Sequence, residues 1–231
     1  MNPEGASSKE GRTAAIRMRI ELVGLGKRFN EHWVLRYLSY SFESGNSYAI
    51  LGPNGSGKST LLQIIGGMLS PSEGSSLVFA GAEAVDPEQV HRYASFCAPA
   101  MELVEEFTLL EFFGFQHHFR PLLSGFDPQA VIREIGLTHA GDLQIRHFSS
   151  GMRQRVKLAQ AIFCDCPVVL LDEPCTNLDQ EGISLYQRLM DRWMTGRMLI
   201  VGSNSRPEYT MCKNRLELTI PTRKPILSKL P

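Results

Sequence analysis

One short segment of the chain has the residue types and spacing of a phosphate-binding loop. It fits the pattern G-x-x-x-x-G-K-[ST], and its residues are Gly52, Pro53, Asn54, Gly55, Ser56, Gly57, Lys58, Ser59 and Thr60. Its glycines allow a tight turn in which several backbone N–H groups converge on one anion. Lys58 supplies a cation for the β- and γ-phosphates, and the Ser59 hydroxyl is placed to coordinate Mg2+. The segment therefore predicts a site for a nucleoside triphosphate with magnesium.

An acidic pair follows an apolar run later in the chain. The run Val168–Leu171 is uninterrupted, and Asp172 and Glu173 come directly after it. Ligands of open parallel sheets bind at the carboxyl ends of the strands. Asp172 is therefore placed to hold Mg2+, directly or through water, and Glu173 to orient or deprotonate an attacking water.

A third segment, Phe148–Arg155, places Ser149, Ser150 and Gly151 at the start of a helical pattern. Ser149 and the backbone N–H groups that follow it form a helix N-terminus, which is a second anion site. Such a segment alone is most often only a helix cap. It gains functional weight from the phosphate-binding loop and the acidic pair in the same chain.

Together the three segments resemble the motifs of the ATP-binding cassette family, the nucleotide-binding subunits of ABC transporters, over about residues 20–204. Gly52–Thr60 resembles the Walker A motif of the family, and Val168–Glu173 its Walker B motif with the catalytic glutamate. Phe148–Met152 resembles the signature motif, with departures at Ser150 and Met152, and Thr176–Asp179 resembles the D-loop.

The resemblance implies that the ligands are ATP and Mg2+ and that two subunits close head to tail, as a homodimer or with another ABC ATPase. Each ATP then lies between the Walker A loop of one chain and Ser149 and Gly151 of the other, and Phe29 stacks on the adenine ring. Closure moves an integral membrane permease, whose short helix we expect in a groove near residues 101–113. The resemblance also implies a cytoplasmic protein, held at the inner face of the cell membrane through this permease.

Two positions depart from the catalytic set of the family. The position where the family normally has a glutamine falls at Pro99, or at the neighbouring Ala98 or Ala100, none of which has a side-chain oxygen. Asn204 lies where the family has a switch histidine. Asn204 can donate a hydrogen bond to the γ-phosphate but cannot carry a proton or a charge. With Lys58, Glu173 and Asn204 as its catalytic residues, we expect a Mg2+-dependent ATPase that turns over slowly.

The elements that must position these residues alternate between strands and helices. An apolar strand over Tyr48–Leu51 precedes the phosphate-binding loop, and a helical pattern follows it, which Pro71–Gly74 is expected to end. Near-alternation of apolar residues predicts antiparallel strands over residues 19–25 and 33–43. The predicted fold class is α/β: a P-loop NTPase core with a mostly parallel sheet, an N-terminal antiparallel β subdomain and a helical insertion.

The same patterns predict the domain organisation. We expect a flexible segment over residues 1–17, an ABC ATPase domain over 18–220 with a helical subdomain at about 100–165, and an extended tail over 221–231. Aromatic residues recur in the insertion and are expected in its core; they are Phe107, Phe112, Phe113, Phe115 and Phe119.

The composition excludes several other classes. Lysine plus arginine and aspartate plus glutamate both number 24, so no global charge draws the chain to nucleic acid, and we expect no nucleic-acid partner. No apolar run approaches the ~18 residues that span a bilayer. The odd count of five cysteines, without C-x-x-C pairs, argues for reduced and mostly buried thiols.

Two other functions fit part of this pattern. An ATP-gated regulatory module with little turnover and no transport is favoured by the missing glutamine and histidine. A nucleotide kinase is compatible with the phosphate-binding loop but leaves Ser149 and Glu173 without a role.

Overall fold

The computed structural model describes residues 16–220, which form two sheets and their connecting helices. Within that range the strands are β1 (Met18–Phe29), β2 (His32–Glu43), β3 (Ser47–Leu51), β4 (Glu73–Ala80), β5 (Glu83–Ala84), β6 (Ala94–Cys97), β7 (Val168–Asp172), β8 (Met198–Gly202) and β9 (Asn214–Glu217). The helices are α1 (Lys58–Ile65), α2 (Leu109–Phe119), α3 (Pro128–Glu134), α4 (Ser150–Ile162), α5 (Gln180–Trp193) and α6 (Arg206–Tyr209). Apart from residues 16 and 17, the flexible segment and the tail predicted from sequence lie outside the described residues.

The central sheet has five parallel strands in the order β6-β7-β8-β3-β9. Every residue of β7 and β8 is buried, as expected for apolar runs covered on both faces. The apolar residues of these strands point alternately into two hydrophobic clusters. One cluster lies against α1 and the antiparallel strands, and the other lies against the helices α2–α5. The predicted mostly parallel core is confirmed.

The second sheet is antiparallel, in the order β2-β1-β4-β5. The long strands β1 and β2 come from the two stretches with alternating apolar residues, and their register shifts at several points between Leu22 and Arg28. Such irregularities bend a strand and increase its twist. The predicted N-terminal antiparallel β subdomain is confirmed, and its apolar face packs over α1.

The helices α2, α3 and α4 all lie between β6 and β7, where a helical insertion is predicted. Thr108 and Glu111 form a capping box at the start of α2, which supplies partners for helix N–H groups that otherwise have none. No helix within residues 16–220 has the length and apolar content to span a bilayer. All five cysteines are free and buried, as predicted.

Two sequence-based predictions are wrong in detail. The helix after the phosphate-binding loop ends at Ile65 instead of near Pro71, because Gly66 and Gly67 follow and Gly67 adopts a positive φ of +73°. The aromatic stripe is only partly core: Phe112 and Phe113 are buried, but Phe115 is 52% and Phe119 is 66% exposed. These two outer rings instead pack on each other, with a centroid separation of 4.7 Å.

A matched pair on α2 tests this division of the stripe. Phe113→Ala is expected to lower the free energy of unfolding by about 3–5 kcal/mol, because a fully buried ring leaves a cavity. Phe115→Ala, on the same helix, is expected to cost less than about 1 kcal/mol, since its ring is half exposed. Chemical denaturation of the two variants measures both values, and equal losses would contradict the assignment.

Candidate functional site

The phosphate-binding loop joins β3 to α1, as the sequence pattern requires. Gly57 precedes α1 with φ +96°, a conformation that strains any residue with a Cβ. A Cβ at this position would also lie 2.8 Å from Leu35 Cδ2 and 2.9 Å from Val34 Cγ1, both on β2. The antiparallel sheet therefore presses directly on the loop, and only glycine fits between them.

Lys58 lies inside this loop. Its side chain is almost fully buried, and Nζ donates hydrogen bonds to the carbonyl oxygens of Gly52 at 2.9 Å and Pro53 at 3.4 Å. The ammonium group is therefore held at the centre of the turn. Residues 53–55 are exposed, so the loop presents its backbone to solvent above this cation.

Asp172 ends β7 next to the phosphate-binding loop. Its carboxylate is buried, and its Oδ1 has no hydrogen-bond partner within the described part of the chain. Burial raises the pKa of Asp172, and the negative charge of Glu173 acts in the same direction. A hydrogen bond with the Ser59 side chain and the charge of Lys58 oppose this rise. The predicted metal residues Ser59 and Asp172 are thus brought together, as a hydroxyl and a carboxylate with an unused oxygen.

Glu173 follows Asp172 in an unusual backbone conformation. It has φ +43°, which costs energy for a residue with a side chain and occurs most often at functional sites. Its N–H donates to the Gly202 carbonyl at 2.9 Å, and its own carbonyl accepts from Thr176 N at 3.1 Å. These contacts hold the backbone, while the carboxylate side chain projects into solvent.

The end of β8 is where the motifs meet. A Cβ added to Gly202 would lie 2.8 Å from Leu62 Cδ1, 3.3 Å from Asp172 Oδ1 and 3.5 Å from Lys58 Cβ. Leu62 Cδ1 therefore occupies space that a side chain at position 202 would need, and Asp172 Oδ1 lies in a tight contact. The start of α1 and the end of β7 are thus both packed against β8.

Asn204 lies just beyond β8 and contacts the phosphate-binding loop itself. Its Oδ1 accepts a hydrogen bond of 3.2 Å from the backbone N–H of Gly52. The sequence predicted a role at the γ-phosphate but gave no sign of this contact, which joins positions 152 residues apart. The amide is consequently oriented with its oxygen toward the loop.

Ser149 and Gly151 lie at the N-terminus of α4. The Ser149 hydroxyl accepts from Met152 N at 3.2 Å and is exposed. A Cβ on Gly151 would lie 3.2 Å from the carbonyl oxygen of Asn177, in the segment that resembles a D-loop. Gln154, one turn further, is buried and donates to the Pro174 carbonyl at 2.7 Å. The start of α4 is therefore packed against the loop that follows Glu173.

Phe29 is the last residue of β1 and pairs with His32 on β2. Its ring is 47% exposed, with Lys27 Nζ 5.2 Å from the ring centroid. A flat aromatic surface is thus available to a ligand at this end of the antiparallel sheet.

Sequence reasoning missed a lysine beside the Pro99 position. Lys157 on α4 donates from Nζ to the Pro99 carbonyl at 2.7 Å. The contact fixes the segment that leaves β6 against the helix that carries Ser149. No local signal could reveal it, because the two residues are 58 positions apart and the acceptor is a backbone oxygen.

A groove opens beside this contact, with a cavity volume of about 610 Å³. Its lining residues, here called the Met101 groove, are Met101, Glu102, Leu103, Glu105, Glu106, Arg153 and Lys157. Arg153 Nη1 lies 3.1 Å from Glu105 Oε1, which leaves Glu102 and Glu106 as exposed acidic residues on the rim. The groove overlaps the first part, residues 101–106, of the stretch 101–113 near which the sequence predicted one.

Comparisons with known proteins agree with these motifs. The family model described as ABC transporter matches residues 35–176. The chain is 31% identical over 207 residues to the ABC transporter ATP-binding protein YybJ of Bacillus subtilis, covering 86% of this chain and 92% of that protein. It is 33% identical over 176 residues to the cytochrome c biogenesis ATP-binding export protein CcmA of Rhodopseudomonas palustris, covering 74% and 83%.

The solved structures show the same fold. The dimeric ATP-binding cassette MJ0796, in a post-hydrolysis state with ADP and Pi, superposes with a TM-score of 0.74 at 22% identity. The match covers 87% of this chain and 94% of that one. An ABC transporter ATP-binding protein of Pyrococcus furiosus gives a TM-score of 0.73 at 19% identity, over 87% and 97% of the two chains.

The crowding at Gly202 predicts that a single methyl group is harmful there. Gly202→Ala is expected to lower the free energy of unfolding by about 1–3 kcal/mol and to weaken ADP binding, because Leu62 Cδ1 must move and Asp172 Oδ1 must give by a few tenths of an ångström. Gly114→Ala is the control, since a Cβ on Gly114 meets no atom within 4 Å. In the middle of α2 this control is expected to stabilise the chain by about 0.5–1 kcal/mol. Thermal unfolding and ADP titration of both variants test this; unaltered ADP affinity in Gly202→Ala would contradict it.

Proposed function

The chain belongs to the ABC transporter family as an ATP-binding and ATP-hydrolysing subunit, and we propose that its activity depends on Mg2+, on a second ABC subunit and on a membrane permease. The observation that carries this proposal is the convergence of Lys58, Ser59, Asp172 and Glu173 at one edge of the parallel sheet. Within the described residues the buried Oδ1 of Asp172 has no hydrogen-bond partner. Such an oxygen carries a free-energy cost that a bound cation would offset.

Mg2+ fits the residues present. Ser59 and Asp172 offer hard oxygen ligands, which this ion prefers, and the remaining positions are left for phosphate oxygens and water. When bound, Mg2+ offsets negative charge on the phosphates. Ser59 and Asp172 therefore act in binding and orienting the triphosphate.

The other residues of the site bind the phosphates and the adenine ring and orient the attacking water. Backbone N–H groups within residues 54–60 cradle the phosphates, and Lys58 turns from its loop carbonyls to the β- and γ-phosphates. Glu173 orients the attacking water and accepts its proton, with its backbone fixed against Gly202. Phe29 stacks on the adenine ring, and Asn204 faces the γ-phosphate.

The exposed start of α4 supports a head-to-tail dimer on ATP. Ser149 is exposed and Gly151 is half-buried at this helix N-terminus, which is a favourable place for the γ-phosphate held by a second subunit. Each composite site then combines residues 52–60 of one chain with residues 149–151 of the other. The second subunit is a copy of this chain or another ABC ATPase.

The departures at positions 99 and 204 support slow turnover. The Pro99 carbonyl is already bound by Lys157, and Asn204 is neutral at every pH at which the chain is folded. Pro99 lacks the side-chain oxygen of the glutamine that the family normally places there, and Asn204 cannot carry the charge of the usual histidine. The phosphate-binding loop keeps all residues of its motif. We therefore expect ATP to bind normally and to be hydrolysed slowly.

The central test replaces Glu173. Glu173→Gln is expected to slow ATP hydrolysis by at least about 100-fold, because the variant cannot accept a proton, while ATP binding persists through Lys58. Glu83→Gln, a matched change of an exposed glutamate on β5, is expected to leave the rate unchanged. Phosphate release and ATP titration give both quantities.

Equal rates for the wild type and Glu173→Gln would contradict hydrolysis by Glu173. That result would favour the ATP-gated regulatory module over a transport ATPase.

We further propose that the Met101 groove receives a short helix of the permease, which places the chain at the inner face of the membrane. The groove combines apolar Met101 and Leu103 with the acidic rim of Glu102 and Glu106, and so suits a segment with apolar and basic residues. The relative CcmA is named as an ATP-binding export protein of cytochrome c biogenesis, which is in keeping with a permease-coupled role.

Charge reversal in the groove tests this interaction. The tagged wild type is expected to co-purify an integral membrane protein from detergent-solubilised native membranes, and the double variant Glu102→Lys with Glu106→Lys to lose it. Glu83→Lys is the control and is expected to retain the partner, and all three proteins are expected to hydrolyse ATP alike. Retention by the double variant, or absence of any membrane partner from the wild type, would contradict the proposal.

A further inference from the structure

A buried carboxylate lies behind the candidate site, outside all of the motifs. Glu208 on α6 is only 4% exposed, and none of the ion pairs within residues 16–220 includes it. Burial raises the pKa of Glu208, and the nearby charges of Glu173 and Asp172 add to this rise, against hydrogen bonds from Ser203 and Cys175. Burying a carboxylate that has no cation beside it lowers the stability of the folded state, so stability alone does not explain this residue.

The two oxygens of Glu208 join two loops of the site. Oε1 accepts a hydrogen bond of 2.8 Å from the backbone N–H of Cys175, two residues after Glu173. Oε2 accepts from the Ser203 hydroxyl, one residue before Asn204. One carboxylate therefore bridges the loop that bears the water-orienting residue and the loop that faces the γ-phosphate.

The main chain of α6 gives this bridge a fixed base. The buried Tyr186 hydroxyl, on α5, donates to the Glu208 carbonyl at 2.7 Å. Gln187, the next residue on α5, donates from Nε2 to the Pro207 carbonyl at 3.3 Å. The 14-residue helix α5 therefore fixes the position of the four-residue helix α6, and with it that of the Glu208 side chain.

The bridge continues to the phosphate-binding loop. Ser203 Oγ donates to Glu208 and accepts from Ser205 N at 2.8 Å, so the loop is held on both sides of Asn204. Asn204 in turn accepts from Gly52 N. On the other side, Glu173 N donates to Gly202 O.

We propose that Glu208 is a positioning residue for ATP hydrolysis, whose bridge between Cys175 and Ser203 sets the placement of Glu173 relative to Asn204. This inference rests on the proposed roles of those two residues. Both oxygens of the buried Glu208 carboxylate accept from protein groups, so its loss is expected to act on the rate of hydrolysis and not on nucleotide binding. Misplacement of a catalytic group by about 1 Å is enough to slow a reaction ~100-fold.

The experiment compares ATP hydrolysis by three variants of the full chain, with rates expressed per ADP-binding site so that unfolded protein does not count. Glu208→Ala is expected to lower kcat between about 10-fold and 100-fold, with KM for ATP and the Kd for ADP within about twofold of wild type.

Glu208→Gln is expected to restore kcat to within about threefold of wild type. Its carboxamide oxygen accepts from Cys175 N, and its amide donates to Ser203 Oγ. Gln116→Met, which removes another buried polar side chain, one that donates to the Gln160 carbonyl, is expected to leave kcat unchanged.

A second comparison asks whether Glu208 acts through Ser203. Ser203→Ala alone is expected to reduce kcat, and adding it to Glu208→Ala is expected to change kcat by less than about twofold, because both changes break the same bridge. If the two reductions in kcat multiply in the double variant, the two residues do not act through one bridge, and the proposal is overturned.

Other results also overturn the proposal. It fails if Glu208→Ala keeps wild-type kcat, if ADP affinity falls as much as kcat, or if folded Glu208→Gln is as slow as Glu208→Ala. Should Glu208→Ala not fold, the Gln and Ser203→Ala variants decide by the same criteria. Wild type and Glu173→Gln are measured in parallel: equal rates for that pair would remove the proposed function itself, whereas a large difference between them with a fast Glu208→Ala would remove only this inference.

Discussion

The parallel order of β7, β8 and β3 is the constraint on which the candidate site depends. These strands are neighbours in the sheet, and in a parallel sheet their carboxyl ends meet at one edge. The phosphate-binding loop, the acidic pair and Asn204 therefore emerge side by side, although the loop lies more than 100 residues before the other two in the chain. Gly202 shows how close this approach is, since a Cβ there would lie 2.8 Å from Leu62 Cδ1 and 3.3 Å from Asp172 Oδ1.

The sequence was sufficient for those parts of the molecule that depend on local rules. A phosphate-binding loop needs glycines, a lysine and a hydroxyl residue in fixed order, and a doubly covered strand needs an unbroken apolar run. Both rules placed Lys58 and Asp172 correctly on their elements. The core position of Phe113 followed from helical periodicity in the same way.

The contacts that tie the motifs together could not be predicted. Lys157 to Pro99, Gln154 to Pro174 and Asn204 to Gly52 each join a side chain to a backbone group remote in sequence. A backbone acceptor or donor exists at every position, so residue type carries no signal for such a pair. The exposure of Phe115 was missed for a related reason: periodicity identifies the apolar face of a helix, but not how much of that face its neighbours cover.

The alternation of the central strands between two hydrophobic clusters has a mechanical consequence. On β7, Val168 and Leu170 belong to the cluster under the antiparallel sheet, and Val169 and Leu171 to the cluster under the helical insertion. Asp172 therefore ends a strand clamped by both halves of the molecule. A displacement of the helical insertion would therefore act on the acidic pair through the five residues of β7. Even-numbered and odd-numbered residues of Val168–Leu171 contact opposite halves of the molecule.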